Sequence, residues 1–333
     1  MRIPFEQMQA EFSRVFQGAG MSPERAEICA RIHTETSRDG VHSHGAGRIQ
    51  RFHSHLKAGF IDPLANPTLH KSFGALEVWD GNFAPGILNA LHCTDRAIDL
   101  AKQNGIGLVG LHNTTHWMRG GTYGLHAAAK GCALIAWTNG DGCMPPWGGR
   151  EQRLGNNPFV MALPGEKDPI LLDISMSLYS YGKMTGARMA GKSLDYPGGF
   201  DQEGNLTTDP SAIETSRRPL PIGYWKGSAF AFMLDLLAAV FSDGNLTLHV
   251  DELKKDGGGC SQVFIAIDPA KLTSAAYMHE LEDLAKAHIK SSAPAEGGGN
   301  IRSPGAGCIA ARRDADANGV WVDDALWAEI CAL

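Results

Sequence analysis

Apolar positions recur at helical spacing from the start of the chain, where Phe5, Met8, Phe12 and Val15 follow Pro4 at intervals of three and four. A second helix opens at Ser22-Pro23, with Ala26, Cys29 and Ile32 on one face. Beyond a His-rich segment the period changes. Strands are expected at 75–79, 106–113 and 133–139, separated by helices over 87–103 and near 121–130, an order that predicts an α/β sheet. Strands at 159–164 and 169–175 then precede a helix around 178–191. A buried helix over 226–241, a strand at 262–268, a helix near 274–289 and a short helix after Asp323 complete the pattern. The pattern predicts an α/β fold with a mixed central sheet and interleaved lobes: an N-terminal helical region over 1–70, and an α/β region over 71–333 whose last segment is free to return to the first lobe.

Residues 193–223 are rich in Gly, Pro and Asp (DYPGGFDQEG, TTDPS, RRPLPIG), and a stretch this long without periodicity is seldom carried without a use. It is expected to be irregular and site-forming. Two glycine triplets, 257–259 and 297–299, predict flexible surface connections.

Composition narrows the function. With 43% hydrophobic and 20% charged residues in 333, the chain is an ordinary globular protein of one or two lobes. A net charge of -6 with no basic run argues against nucleic acid as a partner. The seven cysteines are widely spaced and lack a CxxC pair, so neither a disulfide framework nor a zinc ribbon is expected. Glu6 and Glu11 interrupt any leader-like core, and the most apolar stretch, Ser228 to Phe241, carries Asp235 and falls short of the roughly 20 residues of a bilayer span. The expected location is the cytoplasm, with no membrane partner.

Gly105-Ile-Gly107-Leu-Val-Gly110 spells the dinucleotide fingerprint GxGxxG, which works only between a strand and the helix that follows it. Here a helix ends at Gly105 and the motif itself is strand, so Gly105 is expected as a helix C-cap. Gly305-Ala-Gly307-Cys-Ile-Ala310 fits a looser form, but too little chain follows it for the ~30 residues of a βαβ unit. A Rossmann domain is not expected.

The densest polar chemistry is VHSHGAGRIQRFHSH, from Val41 to His55. Ile49, Phe52 and Leu56 set a helical phase that places His44, Arg48 and Arg51 on one offset face, with Ser43 as a candidate N-cap. A histidine there suits a general acid and the arginine suits a carboxylate, the two needs of reducing an acidic ketone. The alternative is a set of surface residues capping and solvating a helical bundle. Two HxH pairs suggest metal, but HxH aligns both imidazoles only in a strand, so no metal site is expected.

Several strings along the whole chain resemble the malate/L-lactate dehydrogenase type 2 family, which is distinct from the Rossmann lactate dehydrogenases. They are SHGAGR (43–48), HNTTHWMRGGTYG (112–124), MPPWGG (144–149), GNNP (155–158), LDISMS (172–177), FDQEGNLTTDP (200–210) and GYWKGSA (223–229). THWMRGG, MPPWGG, SMSLYSYG and GYWKG look most like the members acting on a sugar-derived diketo acid. The resemblance implies a non-Rossmann NAD-binding fold, a homodimer, and reduction of a small keto acid by NAD or NADP in its reduced form. Malate, lactate, ureidoglycolate or a cyclic imine are the alternative substrates within the family, and a metal-dependent hydrolase or lyase is the alternative outside it.

The resemblance also makes His44 the proton donor, and Asp201 the carboxylate that orients or recharges it. It places the cofactor along Ile170, Leu171, Leu172, Asp173, Ile174, Ser175 and Met176, against Trp225 and Lys226, and near Gly305, Ala306 and Gly307. Each position has a plainer reading beside the functional one. Asp173 meets a ribose hydroxyl or caps a strand end, as does Ser175. Lys226 faces a pyrophosphate beside a helix N-terminus or is simply solvated. Gly305 to Gly307 admits a ligand close to the backbone or makes a turn. His116 and Arg119 hold substrate or carboxamide, or cap a helix. Asn157, before Pro158, is expected to be extended and to offer its amide to substrate, with turn chemistry as the alternative.

Overall fold

A computed structural model of the chain describes residues 1–296 and 299–333. Its first part contains β1 (Arg2–Ile3), α1 (Phe5–Gly18), α2 (Pro23–Arg38) and α3 (Ile49–Lys57). There follow β2 (Thr68–Phe73), β3 (Leu76–Asp80), α4 (Gly86–Asn104), β4 (Ile106–Thr114), α5 (Gly121–Ala129), β5 (Ala133–Thr138), β6 (Phe159–Leu163), β7 (Ile170–Ile174) and α6 (Tyr181–Met189). The remainder forms β8 (Gly199–Phe200), β9 (Leu206–Thr207), α7 (Pro210–Ser216), α8 (Trp225–Ser242), α9 (Thr247–Leu253), β10 (Cys260–Ile267), α10 (Ala275–Lys290), α11 (Ala306–Asn318), β11 (Val320–Trp321) and α12 (Asp324–Cys331).

Seven strands make one sheet in the order β2-β3-β4-β10-β5-β6-β7. Only β3 and β4 run parallel; every other neighbouring pair is antiparallel. A Rossmann sheet is mostly parallel, so this topology excludes one. The alternation along β10 shows why the sheet holds: Phe264 and Ala266 face the side covered by α4 and α5, while Val263 and Ile265 face α8.

The glycines of the apparent fingerprint serve packing instead. Gly105 closes α4 with φ of 88°, and a side chain at Gly110 would strike the carbonyl of Phe241 at 2.1 Å, because α8 lies directly on β4 there.

The first lobe is a separate apolar cluster built from α1, α2 and α3, and it includes Ala315, Val320, Val322 and Ile330 from the end of the chain. β1 pairs with β11, Ile3 opposite Val320, and so binds the two distant segments together.

Three expectations need correction. Residues 193–223 are not wholly irregular, since β8, β9 and α7 lie within them. Helix α8 is buried on one face only and exposes Phe230, Phe232, Met233, Leu236 and Val240 on the other. By length and composition alone it is apolar enough to cross a membrane, but its inner face packs on the sheet. Gly257 to Gly259 are buried rather than surface connections, and the second triplet falls partly outside the described residues.

Candidate active site

The segment 42–48 does not continue a helix, contrary to the expected phase. Two 3₁₀ turns, His42–His44 and Ala46–Arg48, flank Gly45, and α3 begins only at Ile49. The cause is contact with α2: a side chain at Gly45 would lie 2.1 Å from Ser37 Oγ, so only glycine lets the chain cross so closely. Ala46 N–H donates to that hydroxyl (2.8 Å), which pins the turn. Ser43 is accordingly not an N-cap; Val41 precedes the turn, and the Ser43 hydroxyl lies 3.0 Å from His44 Nδ1.

His44 Nε2 makes no hydrogen bond among the described residues and is not sealed from solvent. Burial, followed by the positive charges of Arg48 and Arg119, depresses the His44 pKa to about 4. His116 stacks on the His44 ring with centroids 5.7 Å apart. Its Nδ1 accepts from the Met118 N–H at 3.0 Å, which leaves the proton on Nε2. Burial and then Arg48 hold His116 well below the ordinary histidine range, so it is neutral.

Arg48 forms no ion pair or hydrogen bond through its side chain among the described residues. Burial and the neighbouring Arg51 lower its pKa to about 10, opposed by the charges of Asp256 and Asp141. A half-buried, unpaired guanidinium is well placed to take an anion, and this one lies beside two imidazoles. Arg51 has its own carboxylate, Asp256, which also meets His55 Nε2 at 2.8 Å. Gly182 of α6 packs directly on Ser43, where a Cβ would lie 2.6 Å from that of the serine. Turns 42–48, the His116 loop, Gly257 and α6 are thus neighbours, and they bring the polar groups of His44, His116 and Arg48 together.

Along the sheet edge lies a second feature. β7 is the last strand, with one side free of strand partners. Gly305, with φ of 83°, approaches Leu171 so closely that a Cβ would be 3.2 Å from its nitrogen, and α11 starts immediately after it. At the other end of β7, Ile222 N–H donates to Met176 O (2.8 Å), and α8 begins at Trp225. Two helix N-termini therefore flank one edge strand, an arrangement that offers unpaired N–H groups and positive dipole ends to phosphates. Trp225 is 60% exposed, with Lys226 Nζ 6.0 Å from its ring centre. Tyr224 before it has φ of 58°, a strained position for a residue with a side chain. An edge backbone, an open indole, a lysine and two helix starts fit an extended dinucleotide.

A profile of the malate/L-lactate dehydrogenase family matches residues 3–331. The chain belongs to that family. It is 44% identical over 338 residues to a 2,3-diketo-L-gulonate reductase of Escherichia coli, and 44% identical over 334 residues to one of Citrobacter koseri, covering all of both chains in each case. Malate dehydrogenase from Entamoeba histolytica superposes with a TM-score of 0.94 at 22% identity, covering 99% of this chain and 96% of that one, which shows the fold. This member of the malate/L-lactate dehydrogenase family is an oxidoreductase.

The remaining expected site residues of the dehydrogenase are distributed unevenly. Asp201 does not contact His44: its carboxylate accepts from the N–H groups of Gly204 (2.7 Å) and Asn205 (2.8 Å), closing its own surface turn. Asn157 is not extended but has φ of 31°, and its amide nitrogen donates to Ala231 O (2.8 Å) in α8, leaving Oδ1 buried without a partner. Asp173 Oδ2 accepts from Gly121 N–H (2.9 Å) and caps α5, and burial raises its pKa. Ser175 Oγ turns to Ser177. Arg119 is spent on structure: with Arg312 it holds the buried Asp39, at 2.7 and 2.6 Å. Burial alone would raise Asp39, but hydrogen bonds from Arg312 and Arg119 hold it below the usual carboxylate range.

Among the described residues no group of three or more His, Cys, Asp or Glu is placed to hold a metal ion. Sequence reasoning missed Asp141 and Asp256. Each stands in an aperiodic loop, and the only signal was its neighbouring glycine, Gly142 or Gly257.

Proposed function

We propose that this enzyme reduces 2,3-diketo-L-gulonate to 3-dehydro-L-gulonate with NADH or NADPH, using His44 as the proton donor. The observation that carries the reading is the pairing of a free imidazole nitrogen on His44 with an unpartnered, half-buried cation, Arg48. The full-length likeness to reductases named for that substrate selects it among keto acids.

A nicotinamide cofactor, bound along Ile170 to Met176, Trp225, Lys226 and Gly305 to Gly307, supplies hydride to the carbonyl carbon. Arg48 takes the substrate carboxylate by charge-assisted hydrogen bonds and fixes which carbonyl faces the imidazoles. His116 donates from Nε2 to the carbonyl oxygen. His44 passes its Nε2 proton to that oxygen as negative charge develops there. Ser43 supports both states of His44, since its hydroxyl donates to a bare Nδ1 and accepts from a protonated one. A bound carboxylate beside Arg48 offsets one of the two positive charges that disfavour protonated His44, so the acid is charged as substrate arrives.

The apolar outer face of α8 supports a homodimer, checked by sedimentation. Seven unpaired thiols, four of them buried, support a cytoplasmic site of action, checked by cell fractionation. The test of function is turnover of reduced nicotinamide. Diketogulonate is expected to be consumed far faster than pyruvate or oxaloacetate, and His44→Ala is expected to lower turnover by about 10²-fold or more. A preference for oxaloacetate, or a variant within a few-fold of wild type, would overturn the reading.

A further inference from the structure

Asp141 is a carboxylate near His116 that the proposed reaction does not use. It stands in the loop after β5, where Oδ1 accepts from the N–H of Gly257 at 3.2 Å. Oδ2 makes no hydrogen bond or ion pair among the described residues and is not sealed from solvent. Gly257 is all that separates it from His116: a Cβ there would lie 3.6 Å from Asp141 Oδ2 and 3.9 Å from His116 Cβ. The neighbouring acids differ from it: Asp256 is taken by Arg51 and His55, and Asp251, whose Oδ1 accepts from the Gly142 N–H at 2.8 Å, is exposed to solvent. Burial, with Asp256 and Asp251 adding, raises the Asp141 pKa, and its charge is felt at Arg48.

The surroundings of His116 therefore present a cation for one carboxylate and a spare acceptor close enough for its charge to act on that cation. The two together discriminate among keto acids by the rest of the molecule. A hydroxyl-bearing tail donates to Oδ2, an apolar tail leaves the carboxylate desolvated and unpaired, and a second carboxylate is repelled. We infer that Asp141 is a specificity-determining residue, its free oxygen receiving a hydroxyl of a polyhydroxylated 2-keto acid while the unpaired Arg48 holds the acid group. The inference rests on the assignment of Arg48 and His44 given above.

Asp141→Asn keeps the acceptor for Gly257 and tests charge; Asp141→Leu removes both. Steady-state constants for diketogulonate, pyruvate and oxaloacetate, with thermal melting as a check on folding, decide the matter. In Asp141→Asn, KM for diketogulonate is expected to rise about 10-fold, the loss typical of a hydrogen bond to a charged group, with kcat changed far less. Pyruvate constants should stay within about 3-fold, and oxaloacetate should become a better substrate as repulsion is relieved. Inhibition by gluconate should weaken in parallel, while inhibition by oxamate, which lacks hydroxyls, should not. Equal losses for all three substrates, or unchanged ranking in both variants, would overturn the inference and leave the proposed reaction standing. If the wild type instead prefers a different polyhydroxylated keto acid and Asp141→Asn impairs that one selectively, the inference stands and the named substrate falls.

Discussion

Binding of a carboxylate at Arg48 should draw a proton onto His44. The free imidazole is held at about 4 against an ordinary 6.5, by burial first and then by Arg48 and Arg119. That depression corresponds to about 3 kcal/mol against the charged ring, and leaves on the order of 0.1% of free enzyme protonated at pH 7. Substrate cancels the Arg48 contribution and sets a negative charge beside the ring, which is expected to outweigh the extra burial it brings, so the His44 pKa should be higher in the complex than in free enzyme. The sign follows from linkage: the anion binds the protonated form better, so its affinity rises as pH falls towards the free pKa and levels off below it.

Two measurements test this. Calorimetry of oxamate binding at pH 6, in buffers of different ionisation enthalpy, should report uptake of a substantial fraction of a proton. In the reduction direction kcat/KM, which reports the free enzyme, should fall about tenfold per pH unit from roughly pH 5 to 8, while kcat holds constant to higher pH. No proton uptake together with a kcat/KM that is flat to pH 7 would refute the argument, because His44 would then be neither depressed nor the acid.

Other outcomes follow from the same contacts. Asp201→Asn should leave kcat within a few-fold, because that carboxylate serves its own turn; a 100-fold loss would restore it as partner of the imidazole. Asp39→Asn leaves three guanidiniums, those of Arg38, Arg119 and Arg312, without their shared carboxylate, one of them 3% exposed, and should destabilise the protein by about 3–5 kcal/mol in denaturant unfolding. Gly305→Val forces a side chain against Leu171 at positive φ, and should weaken quenching of Trp225 fluorescence by NADH at least 10-fold while leaving unliganded secondary structure intact by circular dichroism.

The regular parts of the molecule were legible because their apolar positions alternate or recur: β4, β5 and β10, and the helices α1, α2 and α4, follow their patterns closely. β2 was invisible since all six of its residues are exposed, and α11 since AGCIAARRDADAN carries little apolar stripe. His44 and Arg48 were picked out by residue type, yet on a mistaken helix, because the clash that makes Gly45 a break is with Ser37, eight residues earlier and visible only in three dimensions. Asn157 failed for a related reason: its amide is recruited by Ala231, which no local signal announces. Asp141 carries the same lesson, since its meaning comes from Gly257 and His116 on other loops.

The pairing of β1 with β11 has a consequence for biosynthesis. Arg2 finds its carbonyl partner at Gly319, 317 residues downstream, and the apolar cluster beneath His44 draws on Val320, Val322 and Ile330. A nascent chain emerging from the ribosome holds His44 on an incomplete lobe until the segment through Ile330 has been made. The sheet waits for its central strand β10, which ends at Ile267, and the lobe beneath His44 waits longer still, so the two halves of the fold are completed in turn.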